Sequence, residues 1–272
     1  MEFKELGVTT VKIPAVGMGT WGIGGGFIPD YSKDKEAIKA LRKGIELGMS
    51  LIDTAEMYGS GHSEEIVGEA IKTFPREKIF IVTKVLPENL RYSDLIKAAH
   101  RSLKRLKTDY IDLYLIHAPN PGIPIKESMQ AMEKLVNDSI VRFIGVSNFN
   151  VYQMKQAKAC LSIDIVVNQV EYSLIERKIE RDILPYCIKN KITVMAYCPL
   201  GRGILPNNKF LKEIGIKYDK TAAQVALNWL IQKKGVVAIP KAIKIEHITE
   251  NAESTDWRLS KEDILVIEEH FK

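Results

Sequence analysis

Residues 79–117 decide the fold: IFIVTK (79–84) is followed by SDLIKAAHRSLKRL (93–106) and then by IDLYLIH (111–117). The first and last runs consist mainly of Val, Ile, Leu and aromatic residues, a composition typical of strands buried on both faces of a parallel sheet. The segment between them places its apolar residues at helical spacing, and Ser93 is a candidate N-cap for that helix. The stretch therefore predicts a strand, a helix and a second strand.

The same unit recurs along the chain. The ends of successive β-rich runs lie about 20 to 45 residues apart, which leaves room for a helical crossover each time. Amphipathic segments between the runs include 35–47 and 221–232, and the second opens with the capping box Thr221-x-x-Gln224. The other runs are AVGMGTW (15–21), LIDTA (51–55), RFIGVSN (142–148), IVVNQVEY (165–172), TVMAY (193–197) and VVAIPK (236–241).

Eight strands alternating with helices predict an α/β fold of the (β/α)8, or TIM barrel, type, with residues 1–272 as a single domain. The alternative is a doubly wound open sheet. Before the first strand, residues 2–13 with Gly7 in the middle predict a short β-hairpin that plugs the bottom of the barrel. An extra C-terminal helix is predicted over 261–271, behind Ser260.

The run GMGTWG (17–22) matches the G-x-G-x-x-G pattern of dinucleotide-binding Rossmann folds, but its surroundings do not fit. That fingerprint requires a helix directly after the glycines. Here Ile23, three glycines and Pro29 follow instead. The glycines therefore indicate a mobile loop over a ligand or a tight turn, and no Rossmann domain is predicted.

The composition, 46% hydrophobic and 27% charged, is that of a soluble globular protein. No run approaches the length of a membrane span and no secretory signal opens the chain, so no membrane association is expected. The net charge of +5 is mild, and leucines at helical spacing interrupt the basic run 101–107, so nucleic acid is not an expected partner. Cys160, Cys187 and Cys198 predict neither a disulfide framework nor a zinc site. They indicate free thiols in a cytoplasmic protein.

Reactive side chains close three consecutive predicted strands. Asp53, Lys84 and His117 stand at these carboxyl ends, where the active site of a (β/α)8 barrel lies. Because neighbouring strands lie about 5 Å apart, we expect the three side chains to cluster. Tyr58 follows Asp53 by five residues in the loop DTAEMYGSG, and a loop of that length can fold Tyr58 back over the cluster.

This set of side chains suits hydride transfer to a carbonyl group. The carbonyl oxygen needs a proton donor, and the phenol of Tyr58 is a weak acid with a pKa of about 10. The Lys84 ammonium beside it should lower that pKa, and Asp53 would keep Lys84 charged and oriented. His117 can donate a hydrogen bond to the substrate oxygen. In reverse, the tyrosinate becomes the base for alcohol oxidation.

With these residues in place, the chain resembles the aldo-keto reductase family over nearly its whole length. The most diagnostic segment is DTAEMYGSGHSEEIVGEAI (53–71), and the family's catalytic tetrad carries over to Asp53, Tyr58, Lys84 and His117. The segments IGVSNF (144–149), NQVEY (168–172), AYCPLGRG (196–203) and IPKAIKIEHITEN (239–251) are similar to its cofactor-binding stretches.

The resemblance implies NADPH as the cofactor, bound across the barrel mouth, with NADH as the weaker alternative. Ser147, Asn148 and Gln169 would bind the nicotinamide carboxamide, and Tyr197 would stack on the ring. The pyrophosphate would lie along Cys198, Leu200, Gly201, Arg202 and Gly203, the adenosine 2′-phosphate on Lys241, and adenine near Glu250 and Asn251. The remaining cofactor contacts implied are Gly19, Thr20, Trp21, Ile239, Pro240, Ala242 and His247.

Two residues depart from the family's phosphate-binding pattern. Ala242 stands where the family usually has Ser or Thr, and His247 stands where it often has Arg. Histidine lacks the planar guanidinium fork that grips a phosphate. A preference for NADPH that is weaker than usual is therefore expected. Since the chain stops soon after its last helix, the resemblance also implies an open substrate pocket, with Trp21 and Leu86 on its walls.

Two other functions remain open at this point. One is a nucleotide-sensing regulatory subunit, which the segment NQVEYSLIER (168–177) faintly resembles. The other is a phosphate-handling barrel isomerase or aldolase, with Lys84 forming a Schiff base. A monomer is the expected state, by family resemblance.

Overall fold

Eight parallel strands alternate with helices along the chain in the computed structural model, which describes all 272 residues. An antiparallel hairpin, β1 and β2, precedes them. The strands are β1 (Phe3–Glu5), β2 (Lys12–Pro14), β3 (Met18–Gly19), β4 (Leu51–Asp53), β5 (Phe80–Val85), β6 (Ile111–Ile116), β7 (Val141–Ser147), β8 (Ile165–Glu171), β9 (Thr193–Tyr197) and β10 (Val236–Ala238).

Ten α-helices surround these strands, and none of them is both long and apolar enough to cross a membrane. The last, α10, is the predicted extra helix at the C-terminus. The helices are α1 (Asp34–Glu46), α2 (His62–Ile71), α3 (Tyr92–Leu106), α4 (Ile125–Asn137), α5 (Val151–Lys158), α6 (Ile183–Lys189), α7 (Lys209–Ile216), α8 (Ala222–Gln232), α9 (Ile245–Ala252) and α10 (Lys261–His270).

Strands β3 to β10 pair in the order in which they occur in the chain, and every pairing is parallel. The two outer strands also meet: a parallel bridge joins Val16 to Ala238. The Gly17 N–H donates to the Ala238 carbonyl at 2.8 Å, and the Gly19 N–H donates to the Pro240 carbonyl at 3.0 Å. The sheet therefore closes, which confirms the (β/α)8 prediction and makes the open-sheet alternative wrong.

The N-terminal hairpin plugs the bottom of the barrel, as predicted. Leu6 and Ile13 are fully buried among the inward-facing residues of the strands. The turn is tied to the amino end of β9, where the Gly7 N–H donates to Thr193 Oγ1 at 2.8 Å. Gly7 has a φ of +56°, and a Cβ there would lie 2.8 Å from the Val166 carbonyl oxygen, so the turn requires glycine.

The predicted helix boundaries hold better where a capping side chain is present. The Thr221–Gln224 capping box is formed as predicted. Ser93 is not an N-cap, because α3 begins one residue earlier behind Arg91, whose side chain makes no capping bond. No helix follows the GMGTWG run directly, since an irregular loop continues from there to Asp34. The absence of a Rossmann-type strand, turn and helix at this point is thereby confirmed.

Candidate active site

A buried lysine links the predicted catalytic residues at the carboxyl end of the barrel. Lys84 is fully buried, and its Nζ donates to Asp53 Oδ2 at 2.8 Å, to the Thr54 carbonyl at 2.9 Å and to the Tyr58 hydroxyl at 3.0 Å. Three donors and three acceptors satisfy the ammonium completely. On the far side, Gln169 Nε2 donates to Asp53 Oδ1 at 2.7 Å, so the carboxylate is held from both sides.

Tyr58 reaches this cluster because the loop after β4 turns sharply. The turn is a single-turn helix over Tyr58–Gly61 in which Gly59 and Ser60 have left-handed backbone angles. A Cβ on Gly59 would come within 2.1 Å of the Gly24 carbonyl oxygen, so no other residue fits without displacing the neighbouring loop. The expectation that five residues suffice to fold Tyr58 back over Lys84 is met.

His117 follows the last residue of β6 and packs edge-on against the phenol ring of Tyr58. Its ring centroid is 5.7 Å from that of Tyr58, at an interplanar angle of 75°. Its Nδ1 is buried without a hydrogen-bond partner, and Asn148 Nδ2 donates to its carbonyl at 3.0 Å. The structure therefore brings all four predicted residues together at one mouth.

Burial and the nearby ammonium decide the charge state of each group. Burial lowers the pKa of Lys84, but Asp53 and Tyr58 outweigh it and raise the pKa above its ordinary value, so the ammonium stays charged. Burial raises the pKa of Tyr58, and this exceeds the opposing effect of Lys84. The expected lowering of the Tyr58 pKa is therefore wrong for the free protein. Lys84 does act in that direction, but removal of the phenolate from water costs more.

The imidazole of His117 is neutral at physiological pH. Burial, with a smaller contribution from the Lys84 ammonium, lowers the pKa of His117 to about 3. A neutral imidazole donates one hydrogen bond but carries no proton to release as an acid. The Lys84 ammonium is fully buried with all three protons in hydrogen bonds, so Tyr58 is the residue in this cluster with a proton to transfer to a substrate.

We expect His117 to remain untitrated over about pH 5 to 8, a range in which an ordinary histidine changes charge. The chain has five histidines, and NMR titration of their ring resonances, assigned with a His117→Gln variant, measures this. A His117→Gln spectrum that differs from the wild type by one missing resonance makes the assignment unambiguous. A His117 resonance that moved through this range would mean that the site admits an imidazolium.

Two of the three predicted carboxamide contacts bond directly to catalytic residues: Gln169 to Asp53, and Asn148 to the His117 carbonyl. Gln169 is buried at the end of β8, and the Ser147 hydroxyl donates to its carbonyl at 2.9 Å. Asn148, with a left-handed φ of 60°, is exposed at the mouth, where its side-chain oxygen accepts a hydrogen bond from Tyr197 at 2.9 Å. Tyr197, the predicted ring-stacking residue, is half-buried at the same rim.

The loop after β9, which the resemblance predicts to bind the pyrophosphate, is tightly curled. Cys198, Gly201, Arg202 and Gly203 all have left-handed backbone angles, so the chain curls tightly there. Arg202 is exposed, and its guanidinium donates to Glu171, at 3.0 Å for the shorter bond. Of the other predicted contacts in this region, Gly19, Thr20, Ile239 and Pro240 are buried where β3 meets β10, while Leu200 and Ala242 are half-buried.

The predicted phosphate-binding segment runs into the first turns of α9. Lys241 is exposed and forms no ion pair, so its charge is available to an anion. His247 is exposed on α9, while Asn251 is buried and the Glu250 carboxylate accepts a hydrogen bond from the Thr221 hydroxyl. Lys241 follows β10, and Tyr197 with the curled loop after it ends the neighbouring strand β9, so the three lie at the same end of the barrel. An unpaired ammonium, a curled loop and a half-buried aromatic ring are of the kinds that suit the phosphates and ring of a dinucleotide.

Aromatic rings line the approach to Tyr58. Trp21, predicted as a substrate contact, lies with its ring centroid 5.0 Å from that of Tyr58. Phe27, which the sequence reasoning missed, packs edge-on against Trp21 at 5.4 Å and is exposed. The Leu86 N–H donates a hydrogen bond to the Glu56 carboxylate at 2.7 Å. Glu56 was also missed, although it lies inside the diagnostic segment.

Comparisons with known proteins agree with this geometry. A family model described as the aldo/keto reductase family matches residues 15–272. Methylglyoxal reductase YeaE of Escherichia coli is 42% identical over 272 residues, which cover 96% of this chain and 92% of that protein.

Solved structures match along the whole barrel. A thermostable aldo-keto reductase in complex with the inhibitor epalrestat has a TM-score of 0.96 and 47% identity, and the match covers 99% of each chain. An aldo-keto reductase from Klebsiella pneumoniae, solved in complex with NADPH, has a TM-score of 0.90 and 37% identity, and the match covers 100% of this chain and 96% of that one. The chain belongs to the aldo/keto reductase family.

Proposed function

We propose that this protein reduces aldehydes and ketones to alcohols with NADPH, and that Tyr58 donates the proton. The observation that carries the proposal is the contact at 3.0 Å between the Tyr58 hydroxyl and the buried ammonium of Lys84. A protonated phenol, a fixed positive charge and a neutral imidazole converge on one point at the barrel mouth. Such a set stabilises the negative charge that develops on a carbonyl oxygen as it is reduced.

The reaction follows from the charge states. When bound, NADPH supplies the hydride. The substrate oxygen accepts hydrogen bonds from Tyr58 and His117, and it takes the phenolic proton as charge builds on it. Lys84 stabilises the phenolate that is left behind, and Asp53 keeps Lys84 charged and fixed in orientation. In the reverse direction, the same phenolate accepts the proton of the alcohol.

The residues proposed to hold the cofactor follow the carboxyl ends of β7, β8, β9 and β10, which are neighbouring strands. Tyr197 would stack on the nicotinamide ring, Ser147, Asn148 and Gln169 would bind its carboxamide, and Lys241 would neutralise the 2′-phosphate. Gln169 also holds Asp53, so it would connect cofactor binding with the catalytic cluster. The protein of Klebsiella pneumoniae solved with NADPH supports this cofactor.

Small, reactive carbonyl compounds are the substrates that we propose. The relative from Escherichia coli is named as a methylglyoxal reductase, and its similarity extends over 96% of this chain. Trp21 is 42% exposed and its ring lies 5.0 Å from that of Tyr58, so we propose that a compact aldehyde reaches the phenol past Trp21, with Leu86 as the other wall. Methylglyoxal and related short aldehydes fit this approach.

The test is an assay of NADPH oxidation with methylglyoxal, other aldehydes, ketones and sugars. Turnover with short aldehydes supports the proposal. Tight cofactor binding without turnover on any of these compounds would favour the regulatory alternative. Trapping of a lysine adduct by borohydride would favour a Schiff-base enzyme, since a reductase forms no such adduct.

Replacing His247 with arginine should widen the preference for NADPH over NADH by about ten- to a hundredfold in kcat/KM. A guanidinium on α9 binds a phosphate with two hydrogen bonds and a full charge, which contribute about 1.5 to 3 kcal/mol. The readout is the ratio of kcat/KM values for the two cofactors in wild type and variant. His270→Arg, at the end of α10, is the matched control and should leave the ratio unchanged. A wild-type enzyme that used NADH as well as NADPH would contradict the proposed cofactor.

We further propose that residues 1–272 form a single domain that acts as a monomer in the cytoplasm. One large hydrophobic cluster extends over all the helices of the barrel, which supports a single folding unit. All three cysteines are free thiols, and this suits a reducing compartment. Sedimentation analysis of the pure protein tests the oligomeric state.

A further inference from the structure

One histidine is clamped between two carboxylates next to the active site. His62 begins α2, four residues after Tyr58, and its side chain is 7% exposed. Its Nδ1 lies 2.8 Å from Glu65 Oε2 and its Nε2 lies 3.0 Å from Asp34 Oδ1. Asp34 is the first residue of α1, so His62 joins the beginnings of two helices.

The segment that leads into Asp34, residues 20–33, is here called the aromatic loop. It contacts the proposed active site at two points. Its Trp21 ring lies 5.0 Å from the Tyr58 ring. At Gly22, an added Cβ would lie 3.8 Å from Lys241 Cε, so the loop backbone rests against the lysine proposed to bind the cofactor phosphate. The position of this loop therefore affects both proposed binding sites.

The middle of the aromatic loop is fixed by backbone bonds to the Tyr58 turn, and its end depends on His62. The Gly59 N–H donates to the Gly26 carbonyl at 2.6 Å, and the Ser60 hydroxyl donates to the Phe27 carbonyl at 2.8 Å. Only an imidazolium can donate to Asp34 and to Glu65 at the same time, because a neutral imidazole has a single N–H. Loss of one proton therefore breaks one side of the clamp.

We propose that His62 is a positioning residue whose bonds to Asp34 and Glu65 hold the aromatic loop against the site and so set the affinity for substrate and cofactor. This inference rests on the proposed function. It implies that the enzyme binds its ligands more weakly as the solution becomes alkaline. The proton donor itself is held by Lys84, so the chemical step should change little.

The groups facing His62 favour its charged form. Burial lowers the pKa of His62, but the bonds to Glu65 and Asp34 raise it above its ordinary value. The clamp is therefore fully formed below about pH 6.5 and is lost as the pH rises through the raised pKa. The charged groups that share a cavity of about 360 Å³ with His62 are Asp34 of α1, Glu65 and Glu69 of α2, Lys104 and Arg105 of α3, and Lys107 just after α3. From the loop, Tyr31 packs against the His62 ring and Asp30 is the nearby carboxylate.

Two of the three basic groups in that cavity are already paired. Arg105 Nε donates to Glu64 Oε2 at 2.6 Å, and Lys107 is paired with Glu69. The field at His62 is thus dominated by the carboxylates of Asp34 and Glu65, which supports an imidazolium in the folded protein.

Kinetics of the wild type, His62→Gln and His100→Gln provide the first test, with NADPH and methylglyoxal. Wild-type KM values should rise roughly three- to tenfold as the pH increases through the His62 pKa, while kcat changes by less than about twofold. Glutamine carries no titrating proton, so His62→Gln should have high KM values at all pH values. His100 is exposed on α3, and His100→Gln should retain the wild-type profile.

Fluorescence provides a second readout that needs no turnover. Of the three tryptophans, Trp229 is fully buried, Trp257 is half-buried and Trp21 is exposed. Acrylamide quenching that is lost in a Trp21→Phe variant therefore reports on the aromatic loop. Quenching should increase with pH through the same midpoint in the wild type and in His100→Gln, and it should be constant in His62→Gln.

The two readouts separate the outcomes. A pH-dependent quenching that disappears in His62→Gln supports the clamp even if no carbonyl compound is reduced, in which case the proposed function alone fails. Quenching that is flat in the wild type, or unchanged by the substitution, overturns the clamp. Wild-type KM values that do not vary with pH overturn it equally, because the loop would then not control binding.

Discussion

Replacing Tyr58 with phenylalanine should lower kcat for carbonyl reduction by about a hundredfold to ten-thousandfold, the range that general acid catalysis contributes. The substitution removes the one hydroxyl within reach of both Lys84 and the substrate position. His117 cannot take over as the acid, because its pKa of about 3 leaves the ring neutral. NADPH binding should be preserved, since the phenol is not among the proposed cofactor contacts.

The control for this substitution is Tyr152→Phe. Tyr152 lies on α5 and is exposed, with its hydroxyl accepting a hydrogen bond from Gln156. This variant should retain wild-type kcat and KM values. A Tyr58→Phe enzyme with full activity would show that water or another residue supplies the proton. Circular dichroism of both variants confirms that the fold is retained.

The direction of the Tyr58 pKa shift predicts opposite pH profiles for the two directions of the reaction. Burial raises this pKa, so the phenol stays protonated through the neutral range. Reduction, which needs the phenol, should have a kcat that is constant at neutral pH and falls only at alkaline pH. Oxidation of the alcohol needs the phenolate, so its rate should increase with pH. The same profiles for both directions would contradict a shared tyrosine.

The barrel and the catalytic cluster could be predicted because a single rule connects them. Parallel strands carry their reactive residues to a common edge, so the ends of three consecutive strands had to place Asp53, Lys84 and His117 together. The position of Tyr58 depended on a turn, and its glycine-rich loop indicated that turn. Both predictions concern where the backbone leads, which hydrophobic pattern and loop length largely determine.

Properties that depend on packing from distant parts of the chain could not be predicted. The pKa of Tyr58 is raised because the effect of burial exceeds that of the Lys84 ammonium, and the sizes of these two effects cannot be read from the order of residues. Glu56 and His62 lie within the diagnostic segment, but their partners stand 30 and 28 residues away, in Leu86 and Asp34. Ser93 is a favourable capping residue, but it does not cap α3, because the helix begins one residue earlier, at Tyr92.

Lys84→Met should destabilise the protein by about 3 to 5 kcal/mol, because it leaves the carboxylate of Asp53 buried without its counter-ion. Both side chains are almost completely inaccessible, and Asp53 then has only Gln169 as a hydrogen-bond donor from a side chain. Burial already raises the pKa of Asp53, so we expect it to become protonated in this variant. The free energy of unfolding from urea titration measures the loss. Reduction should also stop, since no ammonium remains to stabilise the phenolate.

The double variant Asp53→Asn/Lys84→Met tests whether the stability lost in Lys84→Met comes from the unpaired charge of Asp53. Asparagine has no charge to leave unbalanced and still accepts a bond from Gln169, so the double variant should lose less stability than the sum of the two single losses, by about 2 kcal/mol or more. Additive losses would mean that Asp53 and Lys84 are not a charged pair in the folded protein. We expect the double variant to regain part of the stability lost in Lys84→Met but none of the activity. A neutral pair of similar shape can replace the packing of the ion pair, but it cannot support the proton transfer from Tyr58.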